Sequence, residues 1–513
     1  MVNTCARLTR VGPWSIYRVI VSPLSPTRSV SGSYHFPGRP ICVPPLGLLP
    51  TQAGYHCPMF QVETITTPGL AQNSYLLLSK GEAFIIDPRR DIEVYLARLQ
   101  DAGLTLKGVA ETHSHADFVA GSRALAEATR APLYSGSMRP ESAHVQLEHG
   151  HVLLVGDAEV VCLHTPGHTP NHFAYFVTDR HDPQQPPAFF SGDVMFVGDL
   201  GRPELLGADL GPILANQLYD TVWGQIHELP GHTILYPGHG AGSACGKNLS
   251  SKPTSTLADE FASSPALQLT REAFISYMLA DQPRVPVHFS EMVALNQEGQ
   301  AAPTPFAAIP QLTADEILSA LSDPAIRVID ARSVAAFSEG HIPGTTSLGV
   351  NPGVPTWMGW LLDGQQQVVA IVESVEQAEE LRRWMVRVGF DKLDGYYVFK
   401  TADWQGRLQP LQTVPGAGFD AAGVDGALID VRTPSEYARG TLPNAKSIPL
   451  CEIPKRWNEL DPKQPVTLFC GSGYRSTIAS SILLQHGFQA ITNVSGGVAE
   501  ITKASPACVV TAG

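Results

Sequence analysis

The chain has 513 residues, of which 43% are hydrophobic and 16% charged, and its formal net charge is −13. With about 150 residues to an ordinary domain, roughly three domains with separate cores are expected. An acidic balance without clustered Lys and Arg excludes a nucleic-acid partner, and no apolar run approaches the roughly 18 residues that a membrane span needs.

The eight cysteines (Cys5, Cys42, Cys57, Cys162, Cys245, Cys451, Cys470 and Cys508) are scattered, with no CxxC pair. That spacing fits neither a disulfide framework nor a zinc knuckle, so interest falls on individual thiols in a reducing compartment. Residues 1–58 differ from the rest. They carry Arg7, Arg10, Arg18, Arg28 and Arg39, many Ser and Pro, and no acidic residue precedes Glu63. Two readings follow. An Arg-rich, acid-poor leader is the composition of an organelle transit peptide, which implies a mitochondrial location. Alternatively translation starts at Met59 and the protein is cytoplasmic, which is favoured because the Pro content works against an amphipathic helix.

From Met59 the pattern is regular. NSYLLLSKGEAFIIDP predicts two short strands around a Lys-Gly turn, ending on Asp87. Residues 91–103 predict a helix with Ile92, Tyr95, Leu96 and Leu99 on one face and Gly103 closing it. LKGVAETHSH, EVVCLHTPGH and AFFSGDV share one form, an apolar strand running into a polar loop. A helical stretch is expected near 268–280 and a Pro- and Ala-rich linker near 300–310.

Beyond the linker the sequence repeats. RVIDARSVAAFSEGHIPG at 327–344 and ALIDVRTPSEYARGTLPNA at 427–445 both read strand, Asp-x-Arg, short helix, Gly and Pro turn. About forty residues on, each has another apolar strand, VVAIVES and VTLFCGS. A period near 100 residues means tandem domains and not solenoid units.

The sharpest chemical signal is ETHSHADF. His113, His115 and Asp117 are followed by His168 in HTPGHTP, Asp193 in FFSGDV and His239 in YPGHG. One such residue is usually structural; six at successive strand ends, flanked by Gly, can converge on one metal. This order resembles the metallo-β-lactamase superfamily over about 59–300, which implies an αβ/βα sandwich with the metal at the sheet edges. The binuclear hydrolases of that superfamily carry HxHxDH, and here Phe118 takes the last position. A phenyl ring cannot ligate, so a second site loses a donor and is expected to be empty.

Two His and one carboxylate around one metal with open positions is the facial-triad pattern of non-haem Fe(II) oxygenases. The persulfide dioxygenase branch of the superfamily is similar. The resemblance implies His113, His168 and Asp193 as ligands to one Fe(II), with zinc as the alternative, and His115, Asp117 and His239 as orienting groups around them. VGDLGRPEL also resembles that branch. It places Arg202 where it could grip a substrate anion, or else in a surface salt bridge. Cys245, six residues past His239, is either a substrate-contacting thiol beside the metal or a small buried residue.

The second strong signal is LFCGSGYRS. Cys470 ends an apolar strand, and Gly471, Ser472, Gly473, Tyr474 and Arg475 lead into an apolar helix. A thiol in a Gly-rich loop at a helix N-terminus faces backbone N–H groups and the positive dipole end, which favour an anionic sulfur. This loop, IDVRTPSEYARGTLPNA and NVSGG resemble the rhodanese family over about 415–505. The resemblance implies that Cys470 forms the persulfide and Arg475 closes the loop. Thr441 stands where that family usually has His. The copy at 311–408 has Val372 at the Cys position and Gln377 at the Arg position, so it is expected to be an inactive rhodanese-like domain.

The whole reads as an α/β multidomain chain, a metallo-β-lactamase sandwich followed by two rhodanese-like α/β domains, and resembles persulfide dioxygenase–rhodanese fusions. The implied partners are a small thiol persulfide such as glutathione persulfide, O₂ and sulfite, with no membrane; a homo-oligomer is compatible with this reading. The other enzymatic reading is a glyoxalase-like zinc thioester hydrolase with an appended rhodanese sensor domain.

Overall fold

A computed structural model describes residues 60–136, 145–207, 209–243, 245–280, 282, 288–299, 308–362 and 366–505. The leader at 1–58 and most of the expected linker at 300–310 lie outside these residues.

Twelve strands make two six-stranded sheets. The first runs β1 (Gln61–Thr67), β2 (Gln72–Ser79), β3 (Glu82–Ile86), β4 (Thr105–Ala110), β5 (Leu133–Ser135) and β6 (Val145–Gln146) in chain order. The second holds β7 (His151–Val155), β8 (Ala158–His164), β9 (Phe173–Asp179), β10 (Ala188–Gly192), β11 (Ile234–Pro237) and β12 (Ser255–Thr256). Side chains alternate across each strand, and the alternation builds the layers. Tyr75, Leu77, Phe84 and Ile86 turn inward to meet Val160, Cys162, Tyr175 and Phe190 of the second sheet. Their neighbours Leu76, Ala83 and Ile85 turn outward to Tyr95 and Leu99 of the Glu93–Asp101 helix. On the far side Phe189 and Leu235 pack on Leu218 and Val222 of the Gly211–Gly224 helix and on Phe274 of the Arg271–Leu279 helix. The result is an αβ/βα sandwich. Lys80 and Gly81, both at positive φ (50° and 77°), make the tight turn between β2 and β3.

Two parallel sheets follow. The first has order β14-β13-β15-β16, from β13 (Ile326–Asp330), β14 (Thr346–Ser347), β15 (Gln367–Val372) and β16 (Gly395–Val398). The second, from β17 (Gln412–Pro415), β18 (Ala427–Asp430), β19 (Lys446–Ser447), β20 (Val466–Phe469) and β21 (Ile491–Ser495), runs β19-β18-β20-β21-β17. The orders coincide, and Gln311, bridged in parallel to Tyr396, stands where β17 does. Register fixes the correspondence: Asp330 faces Ile371 and Asp430 faces Phe469, so the next residues, Val372 and Cys470, occupy the same place.

One continuous core joins the three units. It contains Leu70, Phe118 and Ala120 of the sandwich, Val354, Met358 and Leu362 after β14, and Leu450, Ile478 and Ile482 of the last unit. Polar clasps reinforce it. Arg387 makes a bidentate pair with Asp91 (2.9 and 2.7 Å) in which both side chains are 8% exposed, and Arg90 pairs with Asp391. Among the described residues no helix is long and apolar enough to cross a membrane.

Removing one partner of a buried ion pair strands the other, whereas an exposed pair such as Arg123–Glu127 contributes little. Asp91→Ala is therefore expected to cost on the order of 3 kcal/mol in urea unfolding, and Glu127→Ala less than about 1 kcal/mol.

Candidate metal centre and sulfur-transfer site

Each metal-capable side chain sits just past a strand. His113, His115 and Asp117 follow β4, His168 follows β8, Asp193 follows β10 and His239 follows β11, so the strand ends bring them to one edge of the sandwich. His113, His168 and Asp193 are buried, and their ligand atoms lie within 4.8 Å of one another. The two imidazole Nε2 atoms are 3.9 and 3.7 Å from Asp193 Oδ2, closer than independent side chains need come and right for donors converging on one ion.

The hydrogen bonds fix which nitrogen faces the centre. The Thr112 hydroxyl donates to Asp87 (2.8 Å), so it accepts from His113 Nδ1 (2.9 Å). His168 Nδ1 donates to the Arg202 carbonyl (3.1 Å). Both rings thus keep the Nε2 lone pair for a metal. Burial and the neighbouring imidazoles hold His113 well below the usual histidine range, and burial lowers His168. Burial would raise Asp193, but His239 and the other imidazoles outweigh it and hold the carboxyl ionised. Neutral imidazoles with an ionised carboxylate are what a divalent cation requires.

The groups around these three divide further. His115 Nε2 lies 3.2 Å from Asp87, whose charge outweighs burial and raises the histidine. Burial also works against charge on His239, and Asp117 and Asp193 overcome it, holding its pKa well above the ordinary value. Its Nδ1 approaches Asp193 at 2.7 Å and its Nε2 approaches Asp117 at 2.9 Å. Phe118 lies tilted against His115, with ring centroids 4.3 Å apart, and is 1% exposed, so the phenyl ring occupies the flank of the centre and joins the core shared with the later units. The second donor group is not dispersed, however. Asp117, His239 and Cys245 also gather within 4.8 Å of one another, so three possible donors remain on the flank that Phe118 borders.

The Arg202 backbone reaches the centre, while its buried guanidinium (1% exposed) binds Glu204 at 2.6 Å. Three supports lie outside the motif residues named above. His172 accepts the Asp193 main-chain N–H at Nε2 (3.1 Å) and lies in the same HTPGHTPNH segment as His168, where it could have been noticed. Gly192, at φ +51°, leaves room for it: a Cβ there would fall 2.6 Å from both His172 Nε2 and Thr112 Cβ. Asn296, on the Phe289–Glu298 helix, donates to the carbonyls of His115 and Phe118 (2.8 Å each) and accepts from the Ala120 N–H (2.9 Å). No local pattern marks Asn296, because its three partners are some 180 positions away.

The second site is built on the β20 end. Cys470 Sγ is fully buried and accepts from the Gly473 N–H (3.1 Å) and the Ser476 hydroxyl (3.6 Å). Gly473 caps the Tyr474–Gln485 helix at φ +96°, a left-handed conformation that turns its N–H back onto the sulfur. Arg475 forms a bidentate pair with Glu436 (2.6 and 2.7 Å). Burial opposes charge on Glu436, but Arg475 outweighs it and brings its pKa down to about 2. Glu436 also completes the capping box of the Pro434–Ala438 helix, so TPSEY was legible as a cap but not as the partner of Arg475. Tyr474 donates to the Gly349 carbonyl of the middle unit (3.1 Å), and Thr441 donates to Asp430 (2.8 Å). Gly471 lies against Arg475 Nη2, 3.1 Å from where a Cβ would be, and exposed Ser472 completes the loop. In the middle unit Gln377 bonds the Glu373 N–H instead, and Val372 offers no nucleophile.

The sequence pattern of the metallo-beta-lactamase superfamily matches residues 67–239, and that of the rhodanese-like domain matches 417–504. A solved metallo-beta-lactamase from Staphylococcus aureus subsp. aureus COL is 32% identical, with TM-score 0.59, covering 98% of that chain and 66% of this one. This chain belongs to the metallo-β-lactamase superfamily. It carries a C-terminal rhodanese-like domain in addition. Hydroxyacylglutathione hydrolases from Polaromonas sp. and Dictyostelium discoideum are 36% and 28% identical over 185 and 170 residues, 35% and 32% of this chain. The chain spans 66% and 61% of their lengths.

Asn296→Asp would turn an amide donor facing two carbonyls into a carboxylate. Metal affinity of the purified protein is then expected to fall about 10–100-fold in chelator competition, the usual effect of losing a group that orients ligands.

Proposed function

We propose that the metal domain oxidises a low-molecular-weight thiol persulfide, such as glutathione persulfide, to sulfite at a single non-haem iron, and that Cys470 uses sulfane sulfur to convert sulfite to thiosulfate. The observation that carries this is the compact His113–His168–Asp193 group with Phe118 on its flank in place of another imidazole. Fe(II) held by three such donors supplies open positions for O₂ and a sulfur ligand. Overall, the persulfide, O₂ and water give the free thiol, sulfite and two protons. Four electrons pass from the outer sulfur to O₂.

The chain's own residues do the positioning. Thr112 and the Arg202 carbonyl hold the two imidazoles in the ligating tautomer, and Asp193 supplies the negative charge. At the second site Cys470 takes the outer sulfur of another persulfide and releases its thiol. Sulfite then attacks that sulfur, thiosulfate leaves, and the Cys470 thiolate is regenerated. The Gly473 N–H and Ser476 hydroxyl face the sulfur that becomes anionic in this exchange. The middle unit, with Val372 and Gln377, serves as a scaffold between the two sites.

A second reading, a zinc-dependent glyoxalase-like thioester hydrolase with a rhodanese sensor, is favoured by the names of the hydroxyacylglutathione hydrolase relatives. Aerobic turnover of glutathione persulfide, with O₂ uptake, sulfite, thiosulfate and bound metal measured on one sample, separates the two. Iron with persulfide-dependent O₂ uptake is expected; zinc with thioester cleavage and no O₂ uptake overturns the reading. Cys470→Ser should keep O₂ uptake, accumulate sulfite and lose nearly all enzymatic thiosulfate. Unchanged thiosulfate would remove Cys470 from the mechanism.

A further inference from the structure

We infer that Tyr474 is a positioning residue for Cys470, a strut through which the middle unit holds the Gly473 N–H on the sulfur of the last unit. The inference rests on the sulfur-transfer reading of Cys470 and adds to it a role for the 349–353 turn.

On its inner side the Cys470 loop is fixed by its own unit. The Cys470 and Gly471 carbonyls accept from the Val498 and Ala499 N–H groups (2.8 and 3.1 Å). The Gly473 carbonyl accepts from the Thr477 hydroxyl (2.8 Å), which itself accepts from the Asn493 amide (2.9 Å). These bonds settle the carbonyls. The N–H that faces Cys470 Sγ lies in the peptide between exposed Ser472 and Gly473. Its direction therefore depends on how Gly473 continues into the helix, and the next residue is Tyr474.

Tyr474 reaches out of its own unit. Its hydroxyl donates to the Gly349 carbonyl at 3.1 Å, and its ring lies against Gly353, where a Cβ would stand 3.7 Å from Cε1. Burial raises the hydroxyl well above the ordinary phenol range, so it stays protonated and donates. The turn that receives it is held from two directions. Asn351 closes it, Nδ2 donating to the same Gly349 carbonyl (2.8 Å) and Oδ1 accepting the Gly353 N–H (2.7 Å). Behind it the Val350 N–H donates to the Ala331 carbonyl (3.0 Å), and a Cβ on Gly349 would stand 2.6 Å from the Arg332 carbonyl oxygen. The buried Arg332–Asp330 pair thus anchors the far end of the strut. A reacting group held by locked neighbours loses rate steeply when they shift.

Tyr474→Phe keeps the ring and removes the hydrogen bond. In the full-length protein, alkylation of Cys470 by iodoacetamide is followed on its own peptide by mass spectrometry. The variant is expected to react about tenfold more slowly than the wild type at neutral pH and equally fast at high pH, where the thiol is ionised in both. Thiosulfate formation from glutathione persulfide and sulfite should lose about tenfold in kcat, with KM within about twofold. Asn351→Ala loosens the turn from the other unit and should give the same change, and the double variant no more than either alone. Tyr397→Phe controls for stability, because it removes a hydroxyl bonded to Asp403 (2.7 Å) and Trp404 (3.1 Å) inside the middle unit. It should leave Cys470 alkylation at the wild-type rate. Wild-type alkylation and kcat in Tyr474→Phe, or an equal loss in Tyr397→Phe, overturns the positioning role. Absence of thiosulfate from the wild type would count against the sulfur-transfer reading instead, and the alkylation rates still decide the role of Tyr474.

Discussion

Asp193 is a fully buried carboxylate, and a buried negative charge must be met by positive or hydrogen-bonded groups. His113, His168 and His239 all come within 4 Å of it, and His172 receives its main-chain N–H. These residues arrive from four different strand ends, so the two sheets have to be packed in register before the charge is satisfied. A divalent ion held by these donors would complete the same balance. The demand of one carboxylate therefore ties the sandwich to its chemistry, and it explains why so many imidazoles are buried at one edge of the molecule.

The edge that gathers the metal-capable side chains is also the edge that meets the rest of the chain. Phe118 extends the loop of His113 and His115 into a core shared with Val354 and Met358, and the Val119 N–H donates to the Arg387 carbonyl (2.8 Å). Asn296 pins the same loop from a helix outside the matched superfamily segment. From the other side of the middle unit, the Gly349 carbonyl accepts from the Tyr474 hydroxyl of the Cys470 loop, and the Ser347 N–H donates to the Ser481 hydroxyl on the helix behind Cys470. The unit without a nucleophile is thus the common wall of both sites. Close packing means that neither site can be repositioned without moving it.

The tandem units show how few side chains distinguish two copies of one fold. Both keep Asp-x-Arg as a buried clasp, with Arg332 on Asp330 and Gly340 and Arg432 on Asp430 and Gly440. Both keep the strand order and the register. What differs is Cys470 against Val372 and the Arg475–Glu436 pair against Gln377 and Ala336. The clasp stabilises the backbone in each, and the chemistry resides in a few side chains placed on it.

Local pattern in the sequence determined a good deal. The alternation of NSYLLLSKGEAFIIDP specified β2, β3 and their turn, and the strand-to-loop form of LKGVAETHSH, EVVCLHTPGH and AFFSGDV located three of the four strand ends that carry metal-capable side chains, because a period of two and a Gly or His boundary are carried by adjacent residues. The repeat in 327–445 and the Cys470 loop were legible for the same reason. Tertiary structure alone decided the rest. Asn296 under the metal loop, Glu436 on Arg475, the Arg387–Asp91 clasp and Cys245 beside Asp117 are pairings over 39 to 296 positions in sequence. No short window contains both partners. The sequence also placed Phe118 as a lost donor, and only the folded chain could show that a sulfur from beyond His239 comes back to the same corner.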